Sequence, residues 1–422
     1  MKITSAFSAV ALGLLASTTS ARSYDGWKVL RIDTSSGQDT ILKQLSSVSY
    51  DVWESGPEKD IDIAVSPSQL SILEGLGLGF QVLHEDLGAS IAAESDSSVS
   101  SKWKRQADDL SWFDAYHSYD EHRAYFDALH AAFPNNSEIV STGTSYEGRD
   151  IWGLHFWGAN GPGQPAVLWH GTVHAREWIA SKVIEYLTSQ LILNYGTDDE
   201  VTGYVDDFDF WIFPFVNPDG FVYTQTTDRL WRKNRQPGPV NATCDGRDIN
   251  RNWPYQWDSN PLGASTDPCH YAYKGEAPGD APEMAGLHTF VDNLRDTSGI
   301  KLFIDWHSYS QYILAPLGYN CTTYIPTLGE HLQIAHRAAR AIRDVNGVQF
   351  TYGPSCPLLY ASTGYSVDYA NEVGKADYAY LIELRDTGNF GFVLPPDQIL
   401  PSVKEQWEGI KVILGYLNQV IF

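Results

Sequence analysis

The segment AVLWHGTVHAREW, residues 166–178, indicates the fold of the main part of this chain. Its apolar start, residues 166–169, is typical of a buried strand, and a strongly helical stretch covers residues 178–195. His174 and Glu177 lie between the two, at the exit of the strand, where open α/β sheets usually bind their ligands. A histidine and a carboxylate can both bind Zn²⁺, but a catalytic zinc needs a third ligand and an open position. The pair alone is a weak signal, because such short motifs occur by chance.

The alternation of strands and helices extends over residues 106–422 and predicts an α/β fold. Such alternation is typical of a mixed β-sheet with helices on both faces. The predicted strands are residues 151–156, 166–170, 208–215, 301–306 and 378–384. The predicted helices are residues 178–195, 281–294, 331–345 and 402–417.

A smaller unit precedes this region, over residues 27–87. Asp39 is expected to cap its first helix, and Ser66 followed by Pro67 is a typical start for its second. The predicted strands are residues 29–32, 50–53, 61–65 and 80–83. The resulting β-α-β-β-α-β order predicts a small α/β sandwich.

A Ser-rich stretch, residues 88–101, separates the two regions. It buries too little apolar area to offset the entropy lost on ordering, so we expect a flexible linker. The linker runs into the dibasic pair Lys104-Arg105, which suggests cleavage after Arg105 by a processing protease. An uncut linker is the alternative.

Residues 1–21 resemble a secretory signal, with a basic start at Lys2, an apolar core at residues 9–16 and small residues before the cut. The core is too short to span a bilayer, and no other segment is apolar and long enough. We therefore expect an exported, extracellular protein that does not bind membranes.

The net charge of −23 argues against a nucleic-acid partner, because phosphates are neutralised by clustered Lys and Arg. The basic stretch at residues 229–235 is either a solvated loop or an anion-binding one.

The four cysteines fit an oxidising compartment and permit three pairings. Pairing Cys244 with Cys269 and Cys321 with Cys356 is favoured, because each bridge then closes a modest local loop. Glycosylation would agree with export. The N-x-S/T sequons are at Asn135, Asn241 and Asn320, the last with Cys321 as its middle residue.

A third metal ligand is expected at another strand end, and His307 fits because it follows the apolar run at residues 302–306. His170 lies four residues before His174, a spacing that also occurs in zinc pairs on helices. Gly171 and the preceding strand argue against a helix there, so we interpret His170 as structural.

Five motifs in this order resemble the zinc metallocarboxypeptidases of the A/B type. They are His174-Ala175-Arg176-Glu177-Trp178, Arg229-Leu230-Trp231-Arg232, Asp248-Ile249-Asn250-Arg251-Asn252-Trp253, His307-Ser308-Tyr309-Ser310-Gln311 and Glu383-Leu384-Arg385-Asp386-Thr387-Gly388. The resemblance covers residues 109–422, and the upstream unit is similar to the family's inhibitory propeptide. It implies a signal peptide at 1–21, a propeptide with its linker at 22–105 and a catalytic domain at 106–422. Together with the export signals, it suggests a fungal-like, secreted member made as a zymogen.

The resemblance also implies one Zn²⁺ per chain, held by His174, Glu177 and His307. Glu383 matches the family's catalytic glutamate, which takes a proton from water and delivers it to the leaving amine. A structural partner for Arg385 is the alternative role of Glu383. Attack by activated water and a covalent intermediate on Glu383 both remain open. Arg232 matches the arginine that stabilises the oxyanion, a task suited to a guanidinium that never deprotonates.

The implied substrates are the C-termini of peptides and proteins. Arg251 with Asn250 matches the clamp for the terminal carboxylate, and bidentate pairing explains the choice of Arg over Lys. Tyr360 matches a mobile tyrosine that closes over the substrate, with plain packing as its alternative. The other matches to substrate-binding positions are Arg176, Ser308 and Tyr309.

The pocket for the C-terminal side chain is implied to be uncharged. Val367 stands where basic-specific members carry an acid, and Leu314, Gly318 and Leu381 are expected to line the same pocket. Burying an unpaired cation there would cost several kcal/mol. The sequence therefore predicts a preference for apolar or aromatic C-terminal residues, and the bulk of Leu381 favours those of medium size.

The residues present disfavour three alternative functions. A non-catalytic binding module on this fold is disfavoured because the ligand and base positions are intact. A serine hydrolase or a common zinc endopeptidase is disfavoured because neither G-x-S-x-G nor H-E-x-x-H occurs. A basic- or acid-specific carboxypeptidase is disfavoured by Val367. We expect a monomer that binds its own propeptide and its substrates.

Overall fold

The computed structural model describes residues 21–54, 60–95 and 106–419. Nearly all of the predicted signal sequence and the dibasic pair Lys104-Arg105 lie outside the described residues. The described chain contains a four-stranded and an eight-stranded sheet. Among these residues, no helix combines the length and apolar character that crossing a bilayer requires.

The upstream unit has the predicted β-α-β-β-α-β order. Its elements are β1 (Lys28–Ile32), α1 (Gln38–Leu45), β2 (Tyr50–Glu54), β3 (Ile61–Val65), α2 (Pro67–Gly75), β4 (Phe80–His84) and α3 (Leu87–Glu94). The strands lie in the order β2-β3-β1-β4, and every neighbouring pair is antiparallel. Apolar residues of β1 and β3, such as Leu30 and Ile63, form a core with Ile41 of α1 and Leu73 of α2.

Two predictions for this unit are wrong. Gly37, not Asp39, holds the N-cap position of α1, and Asp39 lies in the first turn, where its charge favours the helix dipole. Part of the expected flexible linker is the helix α3. Its N-cap Asp86 accepts a hydrogen bond from the backbone of Ala89 at 3.1 Å, and Leu87 packs with residues of the other domain. Tertiary packing, rather than composition, orders these residues.

The remaining residues form one large domain. Its helices are α4 (Tyr119–Ala132), α5 (Trp178–Asn194), α6 (Asp199–Asp207), α7 (Pro218–Thr226), α8 (Pro282–Asp296), α9 (Leu328–Asn346), α10 (Ser355–Leu358), α11 (Ser366–Glu372) and α12 (Ile399–Gln419). Its strands are β5 (Ser137–Thr144), β6 (Asp150–Phe156), β7 (Ala166–Gly171), β8 (Asp209–Phe213), β9 (Ile300–Ser308), β10 (Tyr312–Ala315), β11 (Thr351–Pro354) and β12 (Tyr378–Leu384).

The large sheet is mixed, as predicted, in the order β11-β10-β12-β9-β7-β8-β6-β5. Its central strands β12, β9, β7 and β8 are parallel, while β6 and β10 join antiparallel on either side. Alternate residues of β7 enter two different clusters: Val167 and Trp169 pack with α4, α5 and α12, and Ala166 and Leu168 pack with α8 and α11. Because successive strand residues face opposite sides, helices cover both faces of the sheet.

The strand register determines what meets at the carboxyl edge of the sheet. His307 of β9 is the direct neighbour of Glu383 of β12, and Asp305 of β9 is the direct neighbour of His170 of β7. The strands β7 and β9 end close to His174 and His307. The predicted ligands therefore lie at one edge, where open α/β sheets usually bind their ligands.

Both predicted disulfides are present. Cys244 is bonded to Cys269, and Cys321 is bonded to Cys356. They close loops with sequence separations of 25 and 35 residues. Both bridges secure segments outside the central strands.

Candidate metal centre and active-site cleft

Three buried side chains can offer donor atoms to one metal ion. His174, Glu177 and His307 place one donor atom each within 4.8 Å of the others. His174 follows β7, Glu177 occupies the N-cap position of α5, and His307 lies near the end of β9. The fold thus joins the H-x-x-E pair to the third predicted ligand.

The inner atoms of this group, those that face its centre, are arranged to bind a cation. Nδ1 of His174 lies 2.8 Å from a carboxylate oxygen of Glu177 and 3.0 Å from Nδ1 of His307. Nδ1 of His307 lies 2.9 Å from the other carboxylate oxygen of Glu177. Nε2 of each histidine, the outer nitrogen, points away from the centre of the group. When each ring carries its proton there, Nδ1 of both rings and the carboxylate oxygens of Glu177 are all electron-pair donors. Spacings near 3 Å suit donors that share one Zn²⁺ at about 2.0–2.2 Å.

A buried carboxylate lies at the outer nitrogen of each histidine. Nε2 of His174 lies 3.1 Å from Asp248, and Nε2 of His307 lies 2.9 Å from Asp305. Such partners favour a proton on the outer nitrogen and leave the inner one free for a metal. Burial disfavours the charged ring of His307, but Asp305 and Glu177 outweigh burial and raise its pKa well above the usual range. This negative surrounding equally favours a bound cation.

Arg232 lies at the same centre and is held by the carboxylate of Asp248. The guanidinium donates to one oxygen of Asp248 through Nη2 at 2.8 Å and through Nε at 3.2 Å. Its Nη1 lies 3.7 Å from Glu177. Burial lowers the pKa of Arg232, but the two carboxylates outweigh it and raise the pKa, so the side chain stays charged.

The cleft around the metal group has a volume of about 50 Å³. Glu383, the register neighbour of His307, contributes to its wall. Arg251 and Asn250 enter from a short 3-10 turn, Ile249–Arg251, whose N-cap Asp248 accepts from the backbone of Asn250 at 2.9 Å. The lining residues are Val52, Trp53, His174, Arg176, Glu177, Arg232, Asn250, Arg251, Tyr271, His307, Ser308, Leu359, Tyr360, Ser362, Tyr365, Leu381, Glu383 and Phe392.

The upstream unit lies against this cleft. Val52 and Trp53 of β2 contribute to its wall, and the backbone oxygen of Val52 accepts from Arg176 at 3.2 Å. The hydroxyl of Tyr309 donates to Asp62 of β3 at 2.8 Å. Two predicted substrate-binding residues are therefore engaged by the upstream unit.

Comparison with known proteins agrees with this geometry. The sequence model of the family described as zinc carboxypeptidase matches residues 122–409, and that of the carboxypeptidase activation peptide matches residues 30–94. This chain belongs to the zinc carboxypeptidase family. It is a zinc-dependent peptidase synthesised with an activation peptide ahead of its catalytic domain.

Relatives match the chain over most of its length. A metallocarboxypeptidase A of Trichophyton equinum is 43% identical over 405 residues, which cover 94% of this chain and 95% of that protein. The structure of thrombin activatable fibrinolysis inhibitor superposes with a TM-score of 0.84 at 26% identity, covering 94% of this chain and 99% of that one. Carboxypeptidase A from Helicoverpa armigera gives 0.80 at 28% identity, covering 94% and 98%.

The residues predicted for the C-terminal side-chain pocket are Leu381, Val367, Leu314 and Gly318, and all four are buried. Leu381 lines the cleft, whereas Val367, Leu314 and Gly318 lie outside its lining. Val367 and Leu314 are fully buried in one apolar cluster with Leu381 and Tyr365. Tyr365, which the sequence interpretation missed, lines the cleft itself.

The basic stretch at residues 229–235 is not a solvated loop. Arg229 is buried and pairs with Glu94 of α3 through two hydrogen bonds of 2.6 and 2.7 Å. Buried Lys233 donates to the backbone oxygen of Pro268 at 2.7 Å. The anion-binding alternative fits Arg229, because its guanidinium binds the carboxylate of Glu94 in the activation peptide.

The three sequons lie on or near the surface. Asn135 and Asn241 are exposed, as an attached glycan requires. Asn320 is partly buried, and its side-chain oxygen accepts hydrogen bonds from the backbone and hydroxyl of Thr322, both at 2.9 Å. Asn320 is therefore the least accessible of the three.

Several residues of the site were missed at the sequence level. Asp305 could have been predicted from the sequence. Residues two apart on a strand share a face, and Asp305 precedes His307 by two positions. Asp248 lies within one of the five motifs, but the motif alone indicates no role for it. Phe392 carried no local signal: its ring lies 3.8 Å from the guanidinium carbon of Arg176 only because a distant loop returns to the cleft.

Proposed function

We propose that this zinc carboxypeptidase is exported as a zymogen and, once its activation peptide is removed, releases apolar or aromatic residues from the C-termini of peptides and proteins. The proposed boundaries are a signal peptide at 1–21, a propeptide with linker at 22–105 and a catalytic domain at 106–422. One observation carries the proposal. The His174-Glu177-His307 group shares a single cleft with Glu383 and Arg251.

The proposed metal ligands are His174 and His307, through their inner nitrogens, and Glu177, through its carboxylate. When bound, zinc supplies Lewis-acid polarisation of the scissile carbonyl and lowers the pKa of water. A carboxylate oxygen of Glu383 accepts the proton of the attacking water and delivers it to the nitrogen of the leaving amine. The position of Glu383 beside His307 in the sheet register supports this role.

Arg232 is proposed to stabilise the negative oxygen that develops on the scissile carbonyl. Donors that are already oriented toward this oxygen need no reorganisation during the reaction, which makes electrostatic stabilisation effective. The two hydrogen bonds to Asp248 hold the guanidinium in place. The raised pKa of Arg232 keeps it charged.

Arg251, Asn250 and Tyr360 are proposed to recognise the free terminal carboxylate. Arg251 is buried except at the cleft, and its guanidinium carbon lies 5.9 Å from the ring of Tyr360. A cation that must pair with a carboxylate restricts cleavage to chain ends, because an internal peptide bond presents none.

Arg176, Ser308 and Tyr309 are proposed to bind substrate residues upstream of the scissile bond. Arg176 contacts Val52, and Tyr309 contacts Asp62. These contacts support inhibition by the activation peptide, because they occupy side chains that a substrate would need.

The preference for apolar C-terminal side chains is supported by the uncharged pocket residues Leu359, Tyr365 and Leu381. Blocked dipeptides that end in Phe, Leu, Arg or Glu test it. We expect Phe and Leu to be released faster than Arg or Glu. Faster release of Arg would refute the preference without affecting the assignment of the metal centre.

The reaction itself is tested with the protein cleaved near Arg105. Release of C-terminal Phe should stop on addition of a chelator and return with Zn²⁺. The same dipeptide with an amidated C-terminus is the matched control, and it should resist cleavage because Arg251 has no carboxylate to bind. Equal cleavage of the amidated peptide would exclude an exopeptidase.

Export and glycosylation are proposed from the disulfides and the exposed sequons. The chain is also proposed to be a monomer. Expression with the native leader should give protein in the medium whose mass falls on treatment with an N-glycosidase. Asn135→Gln and Asn241→Gln should each remove one glycan. Sedimentation of the secreted protein should give the mass of a single chain.

A further inference from the structure

Asp305 is a fully buried carboxylate on β9, two residues before the proposed metal ligand His307. Residues two apart on a strand face the same side, so both side chains point to the metal centre's side of the sheet. One oxygen, Oδ2 of Asp305, lies 2.9 Å from Nε2 of His307. We propose that Asp305 is a positioning residue that orients His307 and joins the metal centre to the carboxylate clamp.

The same oxygen is shared by two further donors. The hydroxyl of Ser366 donates to Oδ2 of Asp305 at 2.5 Å, and the amide of Asn250 donates to it at 3.2 Å. Asn250 in turn accepts from the backbone nitrogen of Ser366 at 2.9 Å. Asp305 therefore links the strand that carries His307 to the turn that carries the clamp and to the start of α11.

The other oxygen of Asp305 faces a second buried histidine. His170 is its direct neighbour in the sheet register, and Nδ1 of His170 lies 3.2 Å from Oδ1 of Asp305. Both side chains are inaccessible to solvent. Protein atoms thus surround the whole carboxylate, which leaves Asp305 little freedom to move away from His307.

The expected consequence is a loss of metal affinity when the charge of Asp305 is removed. Outer partners of metal-bound histidines hold the ring orientation and raise its basicity, and their removal typically weakens metal binding about 10–100-fold. The inference rests on the proposed function for the identity of the ligands and of the clamp. Its first readout, zinc affinity, does not depend on peptidase activity.

The experiment compares three variants of the full chain by competition with a zinc chelator at fixed pH. Asp305→Asn should weaken zinc binding about 10–100-fold and, after cleavage of the linker, also raise KM because Asn250 loses its partner. Asn250→Ala should raise KM only. Asp368→Asn is the matched control, since this buried carboxylate accepts from the backbone of Gly318 at 2.8 Å and does not contact the metal group.

Unchanged zinc affinity in Asp305→Asn would overturn the inference, as would an equal loss in Asp368→Asn. A failure of the unmodified chain to bind zinc would instead overturn the proposed function. If Asp305→Asn does not fold, ¹⁵N-histidine NMR of the unmodified, zinc-loaded chain decides. We expect His307 to carry its proton on Nε2, and a proton-free Nε2 would contradict the role of Asp305.

Discussion

At the scale of single residues, the site depends on which side chains are neighbours in the sheet. His307 and Glu383 face each other across β9 and β12, so the proposed metal ligand and proton acceptor are held by backbone hydrogen bonds. Arg232 is held by Asp248 instead. Strands therefore place the proposed ligand and the proposed base, and an ion pair with Asp248 places the guanidinium of Arg232.

Replacing Glu383 separates proton transfer from metal binding. We expect Glu383→Gln to lower kcat by about 10²–10⁴-fold, the usual contribution of general acid–base catalysis. Its zinc content, measured by elemental analysis, should remain one per chain. Glu408→Gln, a change at a partly exposed residue of α12 that pairs with Lys411, is the control and should retain activity. Loss of zinc from Glu383→Gln would show that its assigned role is wrong.

Tyr365 is expected to limit the size of the released side chain. Its ring packs tightly on Gly318, because a Cβ at Gly318 would lie 2.6 Å from the Cδ1 atom of Tyr365. We predict that Tyr365→Gly raises kcat/KM for C-terminal Phe relative to Leu by about tenfold, since pocket space for a few carbon atoms contributes about 1–3 kcal/mol. Tyr369→Phe is the control, because Tyr369 does not line the cleft. An unchanged ratio in Tyr365→Gly would exclude this residue from the pocket.

At the scale of elements, α5 connects the site to a buried polar network. The helix begins next to Glu177 and buries Lys182 and Glu185 completely. Glu185 accepts from Trp112 at 2.7 Å and lies 2.5 Å from Nδ1 of His122, while Lys182 donates to the backbone oxygen of Trp112 at 2.8 Å. This network attaches the N-terminal segment of the catalytic domain to the helix that carries a metal ligand.

Breaking this network should strongly destabilise the domain. Glu185→Gln leaves the buried ammonium of Lys182 without its charged partner, and such changes typically cost about 3–5 kcal/mol. Urea unfolding of the zinc-loaded chain measures this loss. Asp127→Asn is the control, because it breaks an exposed ion pair with Arg123 that contributes little. Similar unfolding midpoints for both variants would contradict a structural role for the network.

His117 should make stability depend on pH. Its ring stacks on Trp112 with centroids 3.6 Å apart, and burial, with the nearby Lys182 and His122, lowers its pKa from 6.5 to about 2. Between these values the unfolded chain binds a proton that the folded chain does not, so the free energy of unfolding falls as pH decreases. The contribution of His117 is present above pH 6.5 and is lost as the pH falls toward 2.

Unfolding measured from pH 6 to pH 4 tests this dependence. His117→Gln should reduce the slope by about 1.4 kcal/mol per pH unit, the value for one proton. His336→Gln, an exposed change on α9, should leave the slope nearly unchanged. Equal slopes for His117→Gln and the unmodified chain would exclude His117 as the source.

At the scale of the whole molecule, the activation peptide closes the cleft with charged as well as apolar contacts. Glu94, at the end of α3, forms a buried pair with Arg229, whose guanidinium also donates to the backbone oxygens of Arg176 and Phe392. Burial raises the pKa of Glu94 although Arg229 opposes it. The pair therefore depends on the two domains remaining together.

Weakening this pair should release the inhibition before any cleavage. In Glu94→Gln the cation of Arg229 loses its buried partner, and losses of this kind cost about 2–5 kcal/mol at an interface. We expect the uncut variant to hydrolyse a C-terminal Phe dipeptide at least tenfold faster than the uncut unmodified chain. Glu85→Gln is the control, because Glu85 is exposed and pairs with Lys28 of its own domain. Equal zymogen activities would mean that other contacts, such as that of Tyr309 with Asp62, maintain inhibition.

The sequence predicted the central elements and missed the peripheral ones. The strands around residues 166–171 and 378–384 are long apolar runs, which identify buried parallel strands. The strands β5, β10 and β11 were missed because they are short or largely polar, and pairing with a neighbour determines them. The sequence predicts a linker at α3 because the small residues of this helix have little apolar area of their own, and packing on the other domain orders them.

For the site, the sequence by itself determined which types of side chain are present. They are two histidines, a glutamate ligand, a second glutamate and the arginines. The sequence could do so because residue type and short spacing are local properties. Only the tertiary structure decided which of these meet. The register of β9 with β12 and β7 brings His307 beside Glu383 and Asp305 beside His170. Only the fold also revealed that Tyr365 lines the cleft and that Glu94 reaches Arg229. Contacts between residues that are far apart in the sequence depend on chain folding, and local sequence patterns do not record them.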